Sequence, residues 1–365
     1  MGLSVAWALV RRGQRVTLLE QGGLPNPLGS SVDQHRLIRY AYGAEAGYMR
    51  MVAAAYPLWE RLWSDIGARH YAETGTLILQ SGAVEDGSCW ALASAEAMTA
   101  DGHRLDEITG DTIRTRWPML RTDFAGRVWY APSGGVLFAE PIVRGLAAWL
   151  DAHAPLAMLH TGAVVAEVDP VRRRATLADG RSFAADRLVV AAGSWVPKLL
   201  PELAGAVTPS RQVVGYFVPP PDLAAAWATG PMLLDIGAGD ALYAVPPARG
   251  TGLKIGRHAF SRVGDPDADR TVSESDIAAL QAAASHCLAG FAGYRLSHAR
   301  VCFYSVAEEE RFIVRPLDSA ADAWVLSGFS GHGFKFGPVI GERVAAALCG
   351  EVAAETVPAW AAGRV

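Results

Sequence analysis

MGLSVAWALVRRGQRVTLLEQ (residues 1–21) is the stretch whose reading decides the fold. Leu3 to Arg12 reads as a helix ended by Gly13, and Arg15 to Glu20 as a buried strand. A helix followed by a strand ending on an acid is the second half of a dinucleotide-binding βαβ unit. In such a unit the last of three glycines lets the helix pack close to the first strand, and the acid takes the ribose hydroxyls. Gly2 and Glu20 suit those two places. Two earlier glycines would let backbone N–H groups approach a pyrophosphate, and they and the first strand are absent from the sequence. Any amphipathic helix followed by a strand gives the same local pattern, so the segment leaves a plain structural reading open. The expectation is that Met1 is an internal methionine and that the natural product is longer by roughly a strand and a turn. An in-frame stop codon upstream, before any glycine pair, would defeat it.

The totals narrow the class. A chain of 365 residues exceeds one compact core and suits two domains. With 51% hydrophobic and 19% charged residues it reads as a packed globule, not a disordered chain. A net charge of -4 without a basic run gives no footprint for nucleic acid. No apolar stretch reaches the ~20 residues that span a bilayer, and the start does not read as a signal peptide. Cys89, Cys287, Cys302 and Cys349 are scattered and the histidines form no ligand spacing, so no metal site and a reducing, cytoplasmic setting are expected.

Residues 45–67 have the spacing of a long amphipathic helix closed by Gly67, and residues 140–154 of another. TGTLILQ (74–80) reads as a strand, and residues 163–193 as three short strands with turns at Asp169-Pro170 and Asp179-Gly180. RQVVGYFVPPP (211–221) is a strand running into a proline break, and residues 273–291 open as a helix on a Ser/Asp cap. The tail reads strand (323–329), glycine loop (330–337), helix (338–350).

Four further pieces occur in order: HRLIRYAYG (35–43), GLKIGRH (252–258), VCFY (301–304) and GFSGHGFKFG (328–337). In this order and spacing they resemble the monomeric sarcosine oxidase and N-methyltryptophan oxidase group of the D-amino-acid-oxidase-like flavoproteins, over nearly the whole chain. The resemblance implies an α/β fold: a Rossmann-like FAD-binding domain (1–72, 137–207 and 309–365) interleaved with an α+β substrate domain built on an antiparallel sheet (73–136 and 208–308). It implies FAD held by Gly2, Glu20, Gly29, Ser30, Arg36, Val165, Gly193, Gly331, Gly333 and Lys335, with Cys302 as a thioether to the flavin's 8α carbon. Such a link needs a thiolate beside an electron-poor ring, whereas a lone buried cysteine is otherwise inert.

For the substrate the resemblance implies a carboxylate grip by Arg39 and Lys335, for which a guanidinium fork is suited. Two arginines three apart equally fit a solvated helix face. Tyr304 would line the pocket, and Tyr243, His258 and His332 would lie near substrate and flavin. Arg36 and Lys254 would lie on the oxygen side, where a fixed cation stabilises charge arriving on dioxygen. The group has a small hydroxyl residue where this chain has His35. The implied activity is oxidation of a secondary or N-methyl amino acid by hydride transfer to flavin N5, with reoxidation by O2 giving H2O2, and the implied state is a monomer. Two other readings stay open at this point: an amino or imino acid dehydrogenase using another acceptor, and a truncated remnant unable to hold FAD.

Overall fold

The computed structural model describes residues 1–80, 89–123, 126–236 and 241–365. The opening segment folds as read: a helix Gly2–Val10, Gly13 at φ +73°, and a strand Val16–Glu20. The helix buries Val5, Trp7 and Ala8 and lies against the helix Gly337–Leu348. That approach is close enough to require glycine at 341, where a Cβ would stand 2.5 Å from the Ser4 carbonyl oxygen.

Val16–Glu20 pairs in parallel with Ala157–Thr161, Val16 opposite Ala157. A second parallel pair joins Leu188–Val190 to Ala320–Ser327, whose other edge takes Ile313–Leu317 antiparallel. These are separate sheets, and among the described residues no strand bridges them. The expectation of a buried strand at Val16–Glu20 is therefore corrected: its residues are half-buried or exposed, because only one of its edges is paired. Residues 163–193 also depart from the three-strand reading. They hold four strands, Val165–Asp169, Arg174–Leu177 and Ser182–Ala184 in one antiparallel sheet, and Leu188–Val190 in the parallel pair. The run LVV carries no turn chemistry of its own, so sequence alone merged it with its neighbours.

The larger part of the fold is an eight-stranded sheet. Its order is Arg295–Ala307, Val207–Val218, Leu253–Arg257, Leu242–Val245, Met232–Asp235, Thr76–Leu79, Val128–Ala131, Asp106–Ile108. It is antiparallel except where Met232–Asp235 runs parallel to Thr76–Leu79, so the expected antiparallel sheet is in fact mixed. Helix Glu274–Cys287 covers part of it, burying Leu280, Ala283, Ala284 and Cys287. The helix starts on a reciprocal Ser273/Asp276 capping box, which satisfies two otherwise orphaned N–H groups.

A three-stranded sheet, Arg36–Ile38, Gly135–Leu137 and Tyr71–Glu73, lies in the same region as the long helix Ala46–Ile66. Arg36 opens its first strand and Arg39 follows its last residue. The solvated helix face is thereby excluded: Arg39 is buried, and Arg36 half-buried.

Candidate active site

Two cavities meet along a shared wall. The larger, about 1110 Å³, runs from the start of helix Gly2–Val10 past the ends of the parallel strands to the glycine loop before helix Gly337–Leu348. The smaller, about 50 Å³, is walled by the eight-stranded sheet, the residues around Arg36 and that same loop. Arg36, Tyr304, Gly331 and Phe334 line both. Gly331 sits at φ +76°, and a Cβ there would stand 2.4 Å from the Tyr304 ring, so only glycine closes this wall.

The larger cavity gathers Gly2, Glu20, Gly29, Ser30, Arg36, Val165, Gly193, Gly331 and Gly333, as expected for a dinucleotide site. One Glu20 carboxylate oxygen accepts from Gly22 N–H at 2.9 Å and Asn26 Nδ2 at 2.8 Å, so the acid is fixed at the strand end. Gly2 and Gly337, at the starts of two helices, both face the cavity. Glycine backbone at helix N-termini suits a phosphate-bearing group. Two expected cofactor residues do not line it. Lys335 faces the small cavity only, and Cys302 is buried two residues before Tyr304 on its strand without lining either cavity. Burial pushes the Cys302 thiol up, and the charges of Arg36, Lys254 and Arg300 partly offset this.

All eight residues expected to be catalytic or substrate-binding line the small cavity: Arg36, Arg39, Tyr243, Lys254, His258, Tyr304, His332 and Lys335. His258 lies one residue past its strand, which ends at Arg257. The apolar walls include Leu37, Leu234, Ile236, Val245, Phe260 and Phe334. Lys335 is 2% exposed; its ammonium donates to Tyr42 Oη at 2.8 Å and to the His332 carbonyl at 3.0 Å. Arg39 donates to the Ala41 carbonyl, lies over the Tyr42 ring at 4.4 Å and the Trp90 ring at 5.2 Å, and leaves its Nε unpartnered. Among the described residues, no carboxylate forms an ion pair with either cation. Burial and then Arg39 hold Lys335 well below its ordinary value, and burial lowers Arg39. Burial, Arg39 and Lys335 bring His258 down to about 4, and burial and Lys335 keep His332 low, so both imidazoles are neutral.

The oxygen-side pair is built differently. Lys254, 3% exposed, donates to Asp33 Oδ2 at 2.5 Å, and Arg36 Nη1 donates to the same oxygen at 2.5 Å. The Tyr216 hydroxyl and Gln34 N–H (2.9 Å) donate to Asp33 Oδ1, and Arg300 lies 3.9 Å away. Burial alone would raise the Asp33 carboxyl; Lys254 and Arg36 outweigh it and hold it far below the carboxylate range. Burial lowers Lys254 to about 8, with Asp33 opposing the fall. Sequence reasoning missed Asp33 and Tyr42. The one available signal for Asp33 was its place three residues before Arg36, which a surface turn shares.

Comparison with known proteins gives the following. The family model described as FAD dependent oxidoreductase matches residues 1–347. The chain is 28% identical over 347 residues to the monomeric sarcosine oxidase of Bacillus sp. (strain B-0618), covering 94% of this chain and 88% of that protein. It is 28% identical over 354 residues to the N-methyl-L-tryptophan oxidase of Salmonella arizonae, covering 94% and 91%. Among solved structures, NikD, an unusual amino acid oxidase essential for nikkomycin biosynthesis, superposes with a TM-score of 0.80 at 21% identity, covering 97% of this chain and 92% of that one, and shares the fold.

Proposed function

The chain belongs to the FAD dependent oxidoreductase family, and from that premise we propose that it oxidises a secondary or N-methyl amino acid, sarcosine-like in size, with dioxygen as acceptor. The observation that carries this reading is the Arg39–Lys335 pair: a buried guanidinium and a buried lysine facing a small cavity, with no carboxylate among the described residues within ion-pair distance of either. An unpaired buried charge is costly, and an acid-bearing ligand removes that cost with charge-assisted hydrogen bonds. The residues lining the larger cavity, Gly2, Glu20, Gly193 and Gly331 among them, would hold FAD, which would supply the two-electron chemistry between the amine and O2, with H2O2 as the reduced product.

The chain's residues do the rest. Arg39 and Lys335 anchor the carboxylate at one end of the cavity, and the apolar walls exclude water from the other. His258 and His332, being neutral, add no further positive charge to the cavity. Lys254 and Arg36 present positive charge near the shared wall, where charge arriving on dioxygen is stabilised. The reading includes a thioether at Cys302, whose deprotonation the nearby Arg36, Lys254 and Arg300 favour. It also takes residues 1–72, 137–207 and 309–365 as the FAD-binding part and 73–136 and 208–308 as the substrate part, in a cytoplasmic monomer. No helix among the described residues is long and apolar enough to cross a membrane.

The test is turnover of the FAD-loaded protein on a panel of N-methyl amino acids, sarcosine and N-methyl-L-tryptophan included, with peroxide and oxygen both followed. Peroxide formed mole for mole with oxygen consumed is expected. Flavin bleaching under nitrogen that air does not reverse would replace dioxygen with another acceptor. Colour that stays with the acid-precipitated protein, and is released in Cys302→Ser, tests the thioether.

A further inference from the structure

The acid at position 33 draws four hydrogen-bond partners beside the site. Two are local, Arg36 and Gln34, and two come from adjacent strands of the large sheet, Lys254 and Tyr216. Both carboxylate oxygens are filled, two donors each, at a residue only 6% exposed. Such a network is not adventitious: a half-satisfied one would cost more than an apolar core.

Consider Lys254 and Arg36 without it. Lys254 is buried and Arg36 half-buried, they repel, and a guanidinium does not deprotonate in a protein. The lysine is the group that would yield, shedding its proton to become a neutral amine. With Asp33 present the cluster holds two cations and one anion, which leaves a single net positive charge beside the cavity wall. The remaining groups around this pair do not replace the acid. His35 is neutral, with Nε2 spent on the Gly252 carbonyl at 3.1 Å, and the Tyr243 ring lies 5.9 Å from Lys254 Nζ. The Cys302 thiol is pushed up by burial, and Arg300 adds a further positive charge at the rim.

We propose that Asp33 is the positioning residue of the oxygen side: its buried carboxylate clamps Lys254 and Arg36 together and keeps Lys254 an ammonium, without itself touching substrate or dioxygen. This rests on the reading that Lys254 serves dioxygen, and the test separates the two. The lysines are labelled with ¹³C at Cε, and the Lys254 resonance is assigned by its loss in Lys254→Met. It is then titrated in the wild type, Asp33→Asn and Asp33→Glu. In parallel, FAD-loaded samples are reduced with dithionite and mixed with oxygenated buffer, which needs no amine substrate.

The expected result is a wild-type Lys254 that is cationic at about pH 7 and titrates at least about one pH unit lower in Asp33→Asn. Reoxidation in Asp33→Asn falls at least about tenfold, toward the Lys254→Met rate, and Asp33→Glu recovers most of both signals. A Lys254 titration unchanged in Asp33→Asn overturns the proposal. So does a neutral Lys254 in the wild type near pH 7, a result that needs no Asp33 variant to fold. If instead the titration moves but Lys254→Met reoxidises within about twofold of wild type, the clamp stands and the dioxygen role of Lys254 falls.

Discussion

Lys254 and Lys335 face the same small cavity and are buried alike, yet the chain treats their charges in opposite ways. Lys254 is given a carboxylate at 2.5 Å, whereas among the described residues Lys335 donates to a phenol and a backbone carbonyl. The first lysine keeps its charge within the protein's own network. The second is held well below its ordinary value by burial and Arg39 until something acidic arrives to favour its charge. One side of the cavity is thus built as a fixed field and the other as a vacancy for a ligand's charge, and the two should respond differently to every perturbation.

The largest expected effect is on the fixed side. Lys254→Met should slow reoxidation of the reduced flavin by about 10²–10³-fold, the loss typical of removing one preorganised charge or donor. The anaerobic half-reaction with an N-methyl amino acid should change far less. Stopped-flow mixing of the two half-reactions checks the split, and equal slowing of both would blur the distinction between the lysines.

On the other side, Lys335→Met should raise KM for carboxylate-bearing amines by about 10–10²-fold, as one charged hydrogen-bond donor is lost. Steady-state kinetics on the same panel checks this, with the rate of reoxidation as the quantity that stays constant.

The pH dependence follows from the same asymmetry. Lys335 is held well below its ordinary value when the cavity holds no acid, and a bound carboxylate raises it. Carboxylate affinity should therefore be flat below the depressed value and fall by about tenfold per pH unit above it, until the raised value is passed. Binding titrations across that window check the slope, which should disappear in Lys335→Met. Reoxidation has its own limb: it should decline as pH rises past about 8, where Lys254 loses its proton.

The smallest effect sharpens the contrast. Tyr42→Phe removes one hydrogen-bond acceptor of Lys335 and leaves its packing. A rise in KM of about two- to tenfold is expected, from one hydrogen bond, with no change in reoxidation.

Much of this was legible in the sequence where local chemistry decides the outcome. Gly13 and Gly67 end their helices in the left-handed region, and Ser273 with Asp276 opens a helix as a capping box. The loop 328–337 could be read because its glycines have few other uses. What escaped was decided by distant segments. Asp33 looks like an ordinary loop acid until Lys254 and Tyr216, more than 180 positions away, converge on it. Tyr42 is likewise one aromatic among many until the C-terminal loop brings Lys335 to it. The half-burial of Val16–Glu20 depends on which edges are paired, which periodicity does not report.

The central claim is that Arg39 and Lys335 wait for a carboxylate. It is tested most directly by mixing the FAD-loaded protein anaerobically with each N-methyl amino acid and with the same amine lacking its carboxyl group, sarcosine against dimethylamine for example, and following the loss of flavin colour. The account predicts bleaching by at least one of the acids and none by its decarboxylated partner at equal concentration. Bleaching at the same rate by both members of every pair would contradict it.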